Sequence, residues 1–120
     1  MSRQKIFICD DGPIGEMLCF ALSQSTDNEV FSETKSAKAF DFIEKERPTI
    51  LIVDLNMPEV SGASLITKIR KSENLSSLGI ICISAEFNGK EIAMAAGADI
   101  FVAKPFNLDE ILDAIYRLSA

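Results

Sequence analysis

The chain has 120 residues, 48% of them apolar, with a formal net charge of −6 and a pI near 4.6. That length suits one domain able to bury a core of its own, and the acidic balance argues against a basic nucleic-acid-binding face. The absence of histidine excludes Ser-His-Asp and Cys-His catalysis and most zinc chemistry.

In chain order, the apolar run Ile6–Cys9 predicts a first strand. A helix follows, with Pro13 in its first turn and Ile14, Leu18, Ala21 and Leu22 on one face. Glu29–Phe31 is a weaker strand signal, and Ala37, Phe40 and Ile43 mark a second helix that ends by Arg47, before Pro48. Ile50–Val53 reads as the third strand and Leu65, Ile66 and Ile69 as the buried side of a third helix. Ile80–Ile83 is the fourth strand, and a short helix over Lys90–Ala96 stops at Gly97. Ile100–Ala103 is the fifth strand. In the last helix Asn107 and Glu110 have capping-box spacing, ahead of the stripe Leu108, Ile111, Leu112, Ile115 and Leu118.

Four of the five strand runs lack apolar–polar alternation, the pattern of strands buried on both faces. With strict βα alternation, they predict an α/β doubly wound, five-stranded parallel sheet with helices on both faces. Such sheets bind ligands beyond the C-terminal ends of their strands. Asp10 and Asp11 follow the first strand, Asp54 the third, Ser84 the fourth and Lys104 the fifth. In the strand order 2-1-3-4-5, the first and third strands are neighbours and three carboxylates converge. Singly, each of these residues reads as a turn, a cap or a surface group; it is their joint placement on one edge that signals a site. Three carboxylates repel unless compensated, and Mg²⁺ is the cation that all-oxygen ligands suit. A carboxylate nucleophile flanked by Mg²⁺, a lysine and a hydroxyl meets the needs of phosphoryl transfer.

The segments IFICDD (6–11), ILIVDLNMPEVSG (50–62), IICISA (80–85) and AGADIFVAKPF (96–106), with the amphipathic last helix, resemble the response-regulator receiver domain of two-component signalling over essentially the whole chain. The resemblance implies the flavodoxin-like strand order and Asp54 as phospho-acceptor. It implies Mg²⁺ on Asp11, Asp54 and the Asn56 backbone carbonyl, with Asp10 as the second acid. It also implies Lys104 on the phosphoryl oxygens, Ser84 and Phe101 as switch residues, and a cis Lys104–Pro105 peptide. Asn56 and Glu86 resemble the pair that tunes dephosphorylation in chemotaxis-type regulators. Implied partners are a sensor histidine kinase or histidine phosphotransfer protein as donor, and a protein or fused domain as output.

The family's output face lies on the fourth helix, fifth strand and fifth helix, where Lys90, Glu91, Tyr116 and Arg117 are the candidates here. Its donor contacts the start of the first helix, where Gly12, Gly15 and Glu16 depart from the usual pattern. Phe101 stands where tyrosine or histidine is common, so a buried ring there would couple by packing alone. No enzymatic role beyond self-catalysed phosphoryl transfer and autodephosphorylation is implied.

Two rivals share parts of this pattern. A flavin module needs a phosphate-binding loop where Asp10-Asp11-Gly12-Pro13 stands, and a haloacid-dehalogenase-like phosphatase needs an acid two residues past its nucleophile, where Asn56 stands. A receiver that binds partners without phosphorylation is a third reading, against which the full set of signature positions argues. Cys9, Cys19 and Cys82 form no CxxC pair and read as reduced, buried thiols. With no signal-peptide pattern in residues 1–10 and no membrane-length apolar stretch, the expected location is cytoplasmic. One receiver domain is expected over 1–120, with Ala120 where a receiver normally ends.

Overall fold

Ten elements alternate along the chain: β1 Lys5–Cys9, α1 Pro13–Ser25, β2 Glu29–Glu33, α2 Ser36–Glu46, β3 Ile50–Asp54, α3 Gly62–Lys71, β4 Gly79–Ser84, α4 Gly89–Ala96, β5 Ile100–Ala103 and α5 Leu108–Ser119. The computed structural model describes residues 4–25 and 27–119. Met1–Arg3, Thr26 and Ala120 lie outside the described residues, and with them both ends of the expected 1–120 extent. The strands form one parallel sheet in the order β2-β1-β3-β4-β5, as the sequence predicts.

Side chains alternate across the sheet and build two cores. Phe7, Cys9, Leu51, Val53, Ile80 and Cys82 face one way, against Ala39 and Ile43 of α2, Leu65, Ile66 and Ile69 of α3, and Ala93 of α4. Ile6, Ile8, Ile50, Ile52, Ile81 and Ile83 face the other way, against Leu18 and Leu22 of α1 and Ile111, Ala114 and Ile115 of α5. No described helix is long and apolar enough to cross a membrane.

Local signals place the helix ends. Asn107 and Glu110 close a reciprocal capping box, Asn107 N–H donating to Glu110 Oε1 at 3.2 Å and Glu110 N–H to Asn107 Oδ1 at 3.0 Å. Gly97 ends α4 at φ 118°. Ser61 caps α3 by accepting from Ser64 N–H. At the sheet's N-terminal edge, Arg70 of α3 donates to the carbonyls of Gly97, Ser76 and Leu78 and pairs with Asp99.

Three expectations are corrected. Ala37 is exposed; α2 packs through Ser36, Ala39 and Ile43, with Phe40 half-buried, because those positions keep the helical spacing and Ala37 falls to their side. Cys19 is only half-buried, since its helix lies over one face of the sheet, whereas Cys9 and Cys82 lie within it. β5 is not buried on both faces: Val102 is its one buried residue, as an edge strand has a neighbour on one side only.

The loop after β3 returns so closely on itself that Gly62 has no room for a side chain. A Cβ there would sit 2.3 Å from the Asp54 carbonyl oxygen and 2.7 Å from Leu55 Cα, both backbone atoms that cannot turn away. Gly62→Ala is therefore expected to lower stability by about 2–3 kcal/mol, read as a reduced urea midpoint. Gly12→Ala, whose Cβ would meet only ordinary contact at 3.4 Å, leaves the midpoint nearly unchanged.

Candidate functional site

The alternation that divides the two cores also aims the polar groups at the C-terminal strand ends. Asp54 follows the parity of Ile50 and Ile52, Asp10 that of Ile6 and Ile8, and Lys104 that of Val102, all on the α1/α5 side. Ser84 follows Ile80 and Cys82, on the α4 side. The ladder sets β1 beside β3 and β3 beside β4, with Asp54 opposite Ile83 and Ser84 opposite Ala103. The structure thus brings Asp10, Asp11, Asp54, Ser84 and Lys104 to one edge.

Asp10 and Asp54 are only 3% and 5% exposed, while Asp11 is exposed at the rim. One oxygen from each of the three carboxylates lies within 4.8 Å of the others. Lys104 Nζ reaches Asp54 Oδ2 at 2.6 Å, and Asp54 Oδ1 accepts from Asn56 N–H at 2.9 Å. Asp10 Oδ1 accepts from Gly12 N–H at 2.8 Å. Asp10 Oδ2 is buried without a hydrogen bond; the Lys104 ammonium stands 3.7 Å away, an attraction but too far to bond.

Burial pushes the Asp10 carboxyl above the usual carboxylate range, aided by the Asp54 and Asp11 charges and opposed by Gly12 N–H and Lys104. Burial pulls Lys104 down, but the hydrogen bond and charge of Asp54, together with Asp10, outweigh it and hold the ammonium above its ordinary value. Burial pushes the Cys9 and Cys82 thiols up to about 12, which keeps them protonated and inert. Neither belongs to the reactive set.

An orphaned buried carboxylate oxygen, beside two further carboxylates and one ammonium, fits a hard divalent cation. Asp10, Asp11 and Asp54 could hold one. The donors are all oxygens, the set that suits Mg²⁺.

Ser84 is 1% exposed, and its Oγ accepts from Glu86 N–H at 3.0 Å, which leaves the hydroxyl hydrogen to donate. Phe101 is half-buried, packed on the α2–α4 core. Gly89 lies between these two: a Cβ there would sit 3.1 Å from both Ser84 Oγ and Phe101 Cζ. Lys104 N–H donates to the Ser84 carbonyl at 2.9 Å, and the Lys104–Pro105 peptide is cis. Asn56 and Glu86 are exposed beside the site. Lys90, Glu91, Tyr116 and Arg117 are exposed on α4 and α5, Arg117 pairing with Asp113 at 3.0 Å.

Sequence reasoning missed several groups. Phe87 and Met94 are exposed apolar side chains near or on α4, and Met17 and Phe20 are exposed on α1. Met17 borders an apolar groove of about 510 Å³ between α1 and the β5–α5 connection, lined also by Ile14, Leu18, Ala21, Pro105 and Phe106 and reaching Lys104. The signal was present: α1 is apolar nearly all round, yet a surface helix needs only one apolar face. Ser36 gave no such signal, since a serine at a helix start reads as a cap.

Residues 6–116 match the response regulator receiver domain family. The chain is 31% identical over 115 residues to response regulator Rre1 of Synechocystis, covering 93% of this chain and 49% of that protein, so it spans about half of Rre1's length. It is 26% identical over 117 residues to sporulation initiation phosphotransferase F of Bacillus subtilis, covering 98% of this chain and 94% of the relative. The structure of the chemotaxis response regulator CheY4 of Vibrio cholerae superposes with a TM-score of 0.88 at 25% identity, over 98% of this chain and 99% of that one.

The raised Asp10 carboxyl gives a pH-dependent expectation. An acid whose folded pKa exceeds its unfolded one stabilises the fold below its unfolded value, and that contribution is lost as pH rises through the folded value. At neutral pH, above the unfolded value, the raised Asp10 carboxyl therefore weighs against the metal-free fold. Asp10→Asn keeps the acceptor for Gly12 and is expected to raise the metal-free Tm at pH 7 by about 4 °C. The gain shrinks towards pH 4. Added Mg²⁺ should raise the wild-type Tm more than the variant's, measured by thermal melts with and without EDTA.

Proposed function

This chain belongs to the response regulator receiver domain family, and on that premise we propose that it is a phosphorylation switch whose acceptor is Asp54. The observation that carries this reading is the Asp54 carboxylate: buried, hydrogen-bonded to Lys104 and grouped with Asp10 and Asp11 at the C-terminal edge of the sheet. Family membership implies phosphorylation-based signalling.

A phosphohistidine on a sensor histidine kinase or histidine phosphotransfer protein supplies the phosphoryl group. An Asp54 carboxylate oxygen forms the new O–P bond as the donor's N–P bond breaks. Mg²⁺ on Asp10, Asp11, Asp54 and the Asn56 carbonyl would neutralise charge on the transferring group. Lys104, released from its bond to Asp54, pairs with phosphoryl oxygens, and Ser84 O–H turns to donate to another. The apolar groove on α1 is a docking surface for the donor, since its lining includes Lys104 beside the acceptor.

Movement of Ser84 frees space beside Gly89 at the head of α4, so Phe101 packs further inward and the α4–β5–α5 face changes shape. That face, with Phe87, Met94 and Tyr116 exposed, meets a protein partner or a fused output domain. The domain works in the cytoplasm, without direct contact to nucleic acid or membrane. It catalyses its own phosphorylation and dephosphorylation, with Asn56 and Glu86 setting the lifetime of the aspartyl phosphate.

Incubation with Mg²⁺ and acetyl phosphate is expected to add one phosphoryl mass to the intact protein. Asp54→Asn and an EDTA-treated sample should gain none. A folded, Mg²⁺-binding wild type that stays unlabelled with acetyl phosphate and with a phosphorylated histidine donor would sink the reading.

A further inference from the structure

The loop from β3 to α3 carries the Asn56 backbone past the acceptor and then reverses tightly at Pro58–Val60. Val60 N–H donates to the Pro58 carbonyl at 2.8 Å, across Glu59 at φ 68°. A bond from i+2 to i across a residue of positive φ marks the rarer, strained form of the γ-turn. A non-glycine residue in that region persists only where its surroundings over-determine it.

One hydroxyl does so here. Ser36, 3% exposed at the start of α2, accepts from Val60 N–H at 3.0 Å and donates to the Pro58 carbonyl. Both ends of the turn therefore close on the same oxygen. Ser36 is not the cap of its own helix: the cap position is Lys35, which makes no side-chain cap hydrogen bond. The other end of the loop is tied to the site, through Asn56 N–H on Asp54 Oδ1 at 2.9 Å and Gly62 N–H on the Leu55 carbonyl at 2.9 Å.

We infer that Ser36 is a positioning residue for the phospho-acceptor site: its hydroxyl fixes the Pro58–Val60 turn and, through it, the Asn56 backbone carbonyl. The inference rests on the phospho-acceptor reading, in which that carbonyl is a cation ligand. Asp10, Ser84 and Lys104 come from other strand ends, and Asp54 closes β3 itself, ahead of the turn. Loss of the hydroxyl should weaken cation binding and leave the transfer step itself intact.

The test is Ser36→Ala beside Ser36→Thr and Arg70→Ala. Arg70→Ala breaks the contacts at the opposite edge of the sheet and so controls for general destabilisation. Two quantities are read on folded protein: the Mg²⁺ Kd by calorimetry, and the Mg²⁺ dependence of acetyl-phosphate labelling. Ser36→Ala is expected to raise the Kd and the half-saturating Mg²⁺ about tenfold, the usual scale for removing a group that orients a ligand. Its labelling rate at saturating Mg²⁺ stays at the wild-type level. Ser36→Thr restores the affinity, and Arg70→Ala lowers the Tm without changing the Kd. If Ser36→Ala does not fold, Ser36→Cys, of similar size with a weaker donor, gives the same reading with a smaller shift. Wild-type Kd in a Ser36→Ala protein that melts lower would overturn this inference alone, leaving the hydroxyl a role in the fold only. A wild type that takes neither Mg²⁺ nor phosphoryl would overturn the phospho-acceptor reading and this inference with it.

Discussion

One ammonium answers three carboxylates at the C-terminal edge of the sheet, and the rest of the molecule is arranged around that imbalance. Lys104 bonds Asp54 and leaves one oxygen of buried Asp10 without a hydrogen-bond partner. Left to itself such a cluster would open towards water. It stays closed because each carboxylate grows from the end of a strand packed between two apolar layers, or from the turn just beyond it. The core holds in place a site that works against the metal-free fold. That is the exchange expected where groups are pre-set for a charged ligand.

The two faces of the sheet divide the labour. Asp10, Asp54 and Lys104 lie on the α1/α5 side, where the apolar groove opens beside Lys104. Ser84 lies on the α4 side, where a Cβ at Gly89 would meet both its Oγ and the Phe101 ring. The carboxylates and the packing around Ser84 are therefore on opposite faces of one sheet, joined across β3 and β4 by the pairing of Asp54 with Ile83. On the proposed reading, a group added at Asp54 would reach α4 through Ser84, the buried polar side chain that ends β4.

Much of this was legible in the sequence because it is periodic or local. Strand ends alone carry Asp10, Asp54, Ser84 and Lys104 to one edge. Gly97 and the Asn107–Glu110 box end and begin helices by rules that need only neighbours in sequence. What escaped depends on which distant segments meet. Ser36 reads as a helix start until the β3–α3 turn is seen lying on it, 22 residues away. Gly62 reads as loop punctuation until the Asp54 carbonyl is seen in the space of its missing Cβ. The error at Ala37 has a different source. Alanine counts as apolar in any pattern, so it cannot settle a helix face when Ala39 stands two places on.

The unequal burial of the three thiols has a practical corollary. Cys9 and Cys82 sit inside the sheet with their protons held up to about 12, while Cys19 lies half-exposed on α1 near the Val30 carbonyl. Reagents that need an accessible thiolate discriminate against the first two. A maleimide fluorophore or spin label would thus report from a single point on the groove-bearing helix of the native sequence, without prior removal of the other cysteines.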